Sequence, residues 1–396
     1  MEKLKIGNMN VSFLSATRYH INGGILLMVI VLLAMIIANS PWGDAYAAFW
    51  NKEVHLQIGE FNLFSHNGNH MTLMNFINDA LMTIFFFSGL AIPMATDIAF
   101  SLGVLSLFGN RVPISLKIFL TAFAVVDDIG GILVIALFYS SHLDVNFLLY
   151  SFGVLFLLCA GNHLHIHNRW FYLLLGLVMW YLFLQSGIHA TIAGVIVAFT
   201  IPATPHYKIG KYINRIKENI EIFPSTDKEG IILSKLQINV LKSIESASDR
   251  VISPLQSLED SLHGLVNYVI IPLFAFANAG VVLTAGHGGI EVGTPTWAVM
   301  VGLVVGKFVG IYFFTWLIVK SGLAGMAGGM NWVNLAGICL LGGIGFTVSL
   351  FIANLSFEAS PVLLSQAKLG VLSGTVIAGM LGYIVLHFTL PKRILS

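Results

Sequence analysis

Four ionisable residues lie in stretches of the sequence that are otherwise apolar. Asp127 and Asp128 are adjacent in an apolar run, Asp97 follows Ile-Pro-Met-Ala-Thr, and Lys307 interrupts Val-Val-Gly-Lys-Phe-Val-Gly. A charge at the centre of a bilayer costs roughly 2.5–3.5 kcal/mol on insertion scales, so each of the four is a candidate functional residue. We expect the three carboxylates and the ammonium group to face one another or a water-filled cavity.

The adjacent pair Asp127 and Asp128 suggests the most specific chemistry. A single Asp–Lys pair could serve only to pin two helices together, and this explanation stays open for Asp97 or Lys307 alone. It does not account for two carboxylates that point about 100° apart on one helix, because one lysine cannot neutralise both. Like charges this close favour keeping one carboxyl protonated near neutral pH. Exchange of protons for a small cation uses that competition, and hard oxygen ligands suit Na⁺ or Li⁺.

Helix breakers interrupt two of the apolar segments. One break, at residues 91–93, leads into Thr96 and Asp97. The other contains three glycines and a threonine, namely Gly342, Gly343, Gly345 and Thr347. Discontinuous helices in corresponding halves of a chain are a sequence pointer to a transporter site, where freed backbone carbonyls bind a cation. The alternative is that the glycines serve only close packing between helices.

The overall composition is that of a membrane protein with several spans. Of the 396 residues, 57% are hydrophobic and only 10% are charged, whereas an ordinary soluble domain carries about 25% charge. This excludes a soluble enzyme, a disordered tail and a basic nucleic-acid binder. Residues 203–261 carry eight Lys or Arg and eight Asp or Glu. We predict one integral membrane transporter domain over residues 1–396, with a cytoplasmic amphipathic loop at 203–262.

A spanning helix needs roughly 20 mainly apolar residues. Nine stretches meet this requirement: 22–39, 118–139, 146–161, 170–187, 188–202, 264–284, 297–319, 332–356 and 367–390. Loops with and without Lys or Arg alternate almost throughout the chain, with Lys52 and Lys368 as weak exceptions, and this pattern predicts both termini and the long loop in the cytoplasm. Two further polar residues lie near helix ends, where we expect Asp79 to be solvated and His189 to be a satisfied helix-start residue.

The 38-residue apolar stretch 72–109 must then cross the membrane an odd number of times. Three crossings do not fit in 38 residues, so we predict a single crossing and ten spans in all. A break is expected at 88–93, because Pro93 removes a backbone donor and Gly89 loosens the turn before it. A helical hairpin with two crossings is the competing topology.

Five motifs, in order along the chain, resemble the NhaA family of bacterial sodium/proton antiporters. They occupy residues 96–100, 126–130, 186–194, 272–280 and 343–347, and the resemblance extends over nearly the whole chain. It implies an all-α polytopic membrane protein with an inverted-repeat antiporter fold and two discontinuous helices; this family is one of the standard examples of that architecture. It also implies electrogenic exchange in the bacterial inner membrane, expelling Na⁺ or Li⁺ for more than one proton, in sodium and pH homeostasis.

The resemblance also assigns roles to individual residues. Asp128 matches the main cation-binding and proton-carrying aspartate, and Asp127 matches its neighbour, which pairs with Lys307; the two carboxylates are the expected Na⁺ ligands. Thr96 and Asp97 match the pair that balances the two helix dipoles. A further acidic residue, Glu259, resembles one at the cytoplasmic mouth that is linked to the pH response. No cofactor, enzymatic activity or nucleic-acid partner is expected; the partners are Na⁺, Li⁺, protons and membrane lipid, and a homodimer stays open.

The chain departs from the family between the second span and the first break. Family members have a charged Val-Gly-Leu-Glu-Ile-Lys-Arg-Glu-Leu run and a further span there, whereas Phe87-Ser88-Gly89-Leu90 passes straight to Ala91. The family's twelve spans therefore cannot all be present. Lys307 precedes Thr347 by 40 residues, but the position 40 residues before Asp97 lies in a polar loop. The first half thus lacks the helix that corresponds to the Lys307 helix.

Two other functions were weighed against antiport. A degenerate homologue with impaired or no transport is one alternative, because the missing stretch removes a span and several acidic residues of the cytoplasmic funnel. An intramembrane aspartyl protease is the other. It needs two aspartates on different helices and a Gly-x-Gly-Asp pattern, which this sequence does not contain.

Overall fold

The computed structural model describes most of the chain outside the N-terminus and the long charged loop. The described residues are 24, 26–54, 57–58, 61–62, 65–66, 69–91, 96–139, 143–203, 214, 235, 238–243, 253–282 and 292–390. The protein is an all-α membrane protein, as predicted. Its described strands are four two-residue pieces that form two small antiparallel hairpins, Gln57–Ile58 with Phe61–Asn62 and Ser65–His66 with Asn69–His70.

Sixteen α-helices have their bounds within the described residues, and Gly109–Arg111 forms a 3₁₀ turn. In the first half they are α1 (Leu26–Ala38), α2 (Gly43–Trp50), α3 (Leu73–Phe76), α4 (Met82–Ala91), α5 (Thr96–Ser106), α6 (Ile114–Phe138), α7 (Val145–His163), α8 (Arg169–Ser186) and α9 (Thr191–Thr200). In the second half they are α10 (Pro254–Leu265), α11 (Ile271–Asn278), α12 (Thr294–Val301), α13 (Lys307–Lys320), α14 (Trp332–Leu341), α15 (Phe346–Ser356) and α16 (Pro361–Thr389). Three π-helical turns, Ile77–Leu81, Val266–Ile270 and Gly302–Gly306, link α3 to α4, α10 to α11 and α12 to α13.

Side chains readable in the sequence fix several of the helix starts. The oxygens of Thr72, Asp144, Asn168, Ser253 and Asn331 each accept a hydrogen bond from a backbone N–H in the first turn of the helix that follows. Such a cap satisfies one of the orphan donors at a helix start and is typically worth about 1 kcal/mol.

Apart from α2, each described helix overlaps one of the predicted apolar stretches. Five helices or π-linked helices are long and apolar enough to cross a membrane alone, and up to seven do so if each bent pair is one span. One bent pair, α14 and α15, turns by 45° at the predicted glycine break. The number of crossings and the sidedness of the termini stay predictions.

Two predicted boundaries differ from the structure. Helix α10 begins at Pro254, ten residues before the predicted span at 264, because Ser253 caps it and proline is favoured in the first turn of a helix. The last part of the predicted loop is therefore helical and continuous with the span. Helix α4 continues through Ala91, past the predicted start of the break at Ser88, and Pro93 lies outside the described residues.

The core of the bundle is an aromatic cluster next to the second break. Phe86, Phe274, Phe346 and Phe351 are buried to 1% exposure or less and belong to one apolar cluster. They come from α4, α11 and α15, so the start of α15 is held in the middle of the molecule. The candidate site is built on this buried helix start.

Candidate functional site

The Lys307 side chain meets Asp127 across the bundle. Its Nζ donates a hydrogen bond of 2.7 Å to Oδ2 of Asp127, joining α13 to α6. Lys307 follows the π-helical turn Gly302–Gly306 directly. Such turns are rare and occur frequently at functional sites. The pairing suggested by the family resemblance is thus present in the structure.

Asp97 joins the starts of two half-helices. It lies in the first turn of α5, and its Oδ1 accepts a 3.0 Å hydrogen bond from the backbone N–H of Thr347 in the first turn of α15. Both residues are buried, and Thr96 is the first residue of α5. A helix start carries a partial positive charge from its orphan N–H groups. One carboxylate therefore lies next to two such starts.

Asp128 follows Asp127 directly in α6. It interacts electrostatically with Asp97, Asp127 and Lys307. Within the described part of the chain, no hydrogen bond to its carboxylate is present. The structure therefore brings together the four charges picked out from the sequence, and it leaves the carboxylate of Asp128 the least engaged of them.

The glycines of the second break are required by close packing. A Cβ on Gly345 would come 2.8 Å from Leu303 and 3.2 Å from Nζ of Lys307, and one on Gly343 would come 2.5 Å from the Leu303 carbonyl oxygen. A Cβ on Gly342 would lie 2.8 Å from the Ile311 side chain. The packing explanation weighed for these glycines is thus supported. Close packing at Gly345 also bears on the candidate site, because the absence of a side chain there leaves room for the Lys307 ammonium group.

Within the described residues, no group of three or more His, Cys, Asp or Glu side chains could hold a metal ion. The carboxylates proposed as Na⁺ ligands are only two, and Asp127 already accepts a hydrogen bond from Lys307. A bound Na⁺ or Li⁺ would need further oxygen ligands. The backbone carbonyls at a helix break are the kind of group that supplies them.

Glu259 lies in another part of the bundle. It is buried in α10, and its Oε2 has no hydrogen-bond partner in the described part of the chain. Its electrostatic neighbour is Asp260 rather than an aspartate of α6. The four-charge cluster therefore does not include Glu259.

The sequence did not indicate a polar contact at the start of α9, between His189 and Asp79. His189 Nε2 lies 3.4 Å from Oδ1 of Asp79, and His189 Nδ1 lies 2.9 Å from Oγ1 of Thr191. The interpretation of Asp79 as a solvated interfacial residue is therefore wrong, because its side chain is only 23% exposed and faces a histidine. His189 does contact the start of a helix, as expected. Nothing in the local sequence around either residue indicates the pairing.

Comparison with known proteins gives matches over nearly the whole chain. The sequence model of the family described as Na+/H+ antiporter 1 matches residues 15–88 and 87–386. A protein named Na(+)/H(+) antiporter NhaA from Phocaeicola vulgatus is 69% identical, over 99% of both chains. Proteins of the same name from Bacteroides fragilis and Porphyromonas gingivalis are 55% and 40% identical, over at least 93% of each chain.

The comparisons also locate the missing stretch. The family match is interrupted at residues 87–88, where the sequence departs from the family pattern. The Phocaeicola alignment is 442 positions long, and 99% of this 396-residue chain is about 392 residues. About 50 positions of that relative therefore have no counterpart here. This confirms that the chain lacks a segment long enough for a further span.

Proposed function

The chain belongs to the Na⁺/H⁺ antiporter 1 family, and from this membership we propose that it exchanges cytoplasmic Na⁺ or Li⁺ for external protons. The exchange is electrogenic and takes place in the bacterial inner membrane, with both termini in the cytoplasm. The observation that carries the proposal is the four-charge cluster of Asp97, Asp127, Asp128 and Lys307 at the start of α15.

The cluster contains more negative than positive charge, and this imbalance supports cation exchange. Lys307 compensates Asp127 through a direct ion pair, and the two helix starts beside Asp97 each supply roughly half a positive charge. Asp128 has no such compensation among the described residues. Its carboxylate is therefore the proposed Na⁺ and proton carrier, with Asp127 as a second ligand. Electrogenic exchange needs a second proton-binding group, and the Asp127–Lys307 pair is the candidate.

Competition at one carboxylate gives exchange a defined pH dependence. A proton on Asp128 removes the negative charge that attracts Na⁺, so low pH keeps the site protonated and without cation. We expect the KM for Na⁺ to fall as the pH rises. A KM that does not change between acidic and alkaline buffer would contradict the shared-site mechanism.

We also propose the domain organisation, the partners and the pH response of the transporter. Residues 1–396 form one transporter domain without enzymatic activity or a cofactor, and lipid is a partner while nucleic acid is not. Glu259 contributes to the pH response from its buried position in α10.

Asp97 and Asp128 do lie on different helices, as in aspartyl proteases. However, the carboxylate of Asp97 accepts from the Thr347 backbone, which suits helix capping better than a catalytic dyad.

Everted membrane vesicles provide the deciding experiment. The vesicles are prepared from a host that lacks its own antiporters, and a proton gradient is established across their membrane. Na⁺ or Li⁺ is then added, and the dissipation of the proton gradient is followed with a pH-sensitive dye. We expect dissipation with Na⁺ and Li⁺ and not with K⁺, and faster exchange under an imposed membrane potential. Vesicles that contain the inserted protein but show no cation-dependent proton flux would favour the degenerate homologue.

A further inference from the structure

Helix α5 makes a second bond across the glycine break, through Ser101. The Ser101 hydroxyl donates a 3.2 Å hydrogen bond to the backbone carbonyl of Leu341, the last residue of α14. Ser101 is 3% exposed and Leu341 is fully buried. The bond joins two helices that are 240 residues apart in the sequence, and the antiport mechanism proposed above does not use it.

The two contacts of α5 serve the two ends of one break. Asp97 and Ser101 are four residues apart, so their side chains lie on the same face of α5. Asp97 accepts from an orphan N–H at the start of α15, and Ser101 donates to a carbonyl at the end of α14. The donor end and the acceptor end of the interrupted helix are thus bonded to a single helix. Helix α5 therefore holds both ends of the break in place.

We propose that Ser101 is a positioning residue for cation binding: its hydroxyl fixes the end of α14 against α5 and thereby sets the width of the break. The Leu341 carbonyl also accepts a 3.1 Å hydrogen bond from the backbone N–H of Ile344, so both of its lone pairs are engaged. It is therefore an anchor rather than a cation ligand. The proposal rests on the proposed antiport, because the cation site is taken to lie at this break.

The width of the break matters because the two cations differ in size. Selectivity among cations depends on cavity size and on how rigidly the ligands are held. Li⁺ is smaller than Na⁺ and needs its oxygen ligands closer together. Loss of the Ser101 bond lets the end of α14 move away from α5, so Li⁺ binding is expected to suffer more than Na⁺ binding.

The test compares three variants with the unmodified chain in everted vesicles. Ser101→Ala removes the hydroxyl, Ser101→Thr keeps it, and Ser106→Ala is the matched control. Ser106 lies on the same helix, but its hydroxyl donates only to the Gly103 carbonyl of that helix. We expect Ser101→Ala to raise the KM for Na⁺ about fivefold, the factor that corresponds to one net hydrogen bond. The KM for Li⁺ rises further, whereas Ser101→Thr and Ser106→Ala stay near the unmodified values.

A purely structural role would give a different result. Partial misfolding lowers the maximal rate for both cations in proportion and leaves the ratio of the two KM values unchanged. Unchanged KM values in Ser101→Ala, or the same rise in Ser106→Ala, would overturn the proposal. If the alanine variant does not insert, Ser101→Cys, with its weak S–H donor, is expected to show an intermediate rise, and an unchanged ratio there is equally decisive.

Hydrogen exchange separates this proposal from the antiport itself. The backbone amides of residues 342–347 should exchange faster in Ser101→Ala than in Ser106→Ala, in detergent and without any cation gradient. Equal exchange in the two variants contradicts the role of Ser101, even if transport is normal. Absence of transport by the unmodified chain would instead contradict the proposed function. The amide measurement would still test whether Ser101 fixes the end of α14 against α5.

Discussion

Each half of the protein contributes one helix start to the four-charge cluster, α5 in the first half and α15 in the second, but the surroundings of these helices differ. In the second half, α15 leads into α16, which packs against both α12 and α14. In the first half, α5 leads into α6, and none of the described helices before α5 corresponds to α12 and α13. Among the residues of their most apolar stretches, 33% are buried in α16 and 17% in α6.

One side of α6 exposes large apolar residues. Five of them are more than half exposed, at successive intervals of four, eight, seven and four residues: Ile114, Ile118, Val126, Leu133 and Leu137. Such spacing places them along one side of a helix. In the second half the equivalent role of covering α16 is filled by α12, which belongs to the segment that carries Lys307. The helix that carries Asp127 and Asp128 is therefore exposed along this side.

The site nevertheless survives the loss of that span. Its carboxylates come from α5 and α6, and its positive groups come from α13 and the start of α15. All four of these helices are present. From this difference we expect that substitutions in the proposed exchange site and substitutions in the packing between helices have separate effects on exchange and on stability.

The largest effect is expected from Asp128→Asn. An amide can neither carry the charge that binds Na⁺ nor take up a proton, so exchange should fall to the background of vesicles without the protein. Thermal unfolding should change little, because no hydrogen bond to this carboxylate is present among the described residues. Glu358→Gln, at an exposed position, is the matched control and should retain exchange. Near-normal exchange in Asp128→Asn would remove Asp128 from the site.

A smaller combined effect on activity and stability is expected at the ion pair. Lys307→Ala leaves Asp127 without its partner, and breaking a fully buried pair typically costs about 3–5 kcal/mol. The side chains here are 23% and 34% exposed, so the cost should lie below that range. The double variant Asp127→Asn with Lys307→Ala should regain part of the lost thermal stability but not exchange. Additive losses in this double-mutant cycle would show that the two side chains are not coupled.

The sequence predicted the spans better than the contacts between them. Long apolar runs fix the existence of the helices, because a bilayer tolerates few other backbone structures. The pairing of Asp127 with Lys307 was available only through the family resemblance. The Asp79–His189 contact and the Ser101–Leu341 bond join distant parts of the chain, and neither has a local pattern. The start of the helix that contains the predicted span at 264 was placed too late, because Glu259 and Asp260 interrupt the apolar pattern in residues 254–263.

An alanine substitution at one glycine in each half compares how tightly the two halves are packed. A Cβ on Gly370 of α16 would come 2.6 Å from the Thr296 carbonyl oxygen, whereas a Cβ on Gly103 of α5 would meet nothing within 4 Å. We expect Gly370→Ala to lower thermal stability by about 1–3 kcal/mol through overpacking against α12. Gly103→Ala should be neutral or stabilising by up to about 1 kcal/mol, as for a helix-interior glycine. Equal destabilisation by both would show that the first half is as tightly packed as the second.

The last prediction concerns topology and should leave activity almost unchanged. If α3–α5 crosses the membrane once, positions 3 and 111 lie on the same, cytoplasmic side. Single cysteines at these positions, with Cys159 and Cys339 replaced by serine, should both react with an impermeant maleimide in everted vesicles. Arg111 donates a 3.0 Å hydrogen bond to the Leu390 carbonyl, so retained exchange is needed to show that the 111 variant is folded. Labelling from opposite sides would mean that this stretch is a hairpin. The first half would then keep two spans where a single crossing is predicted.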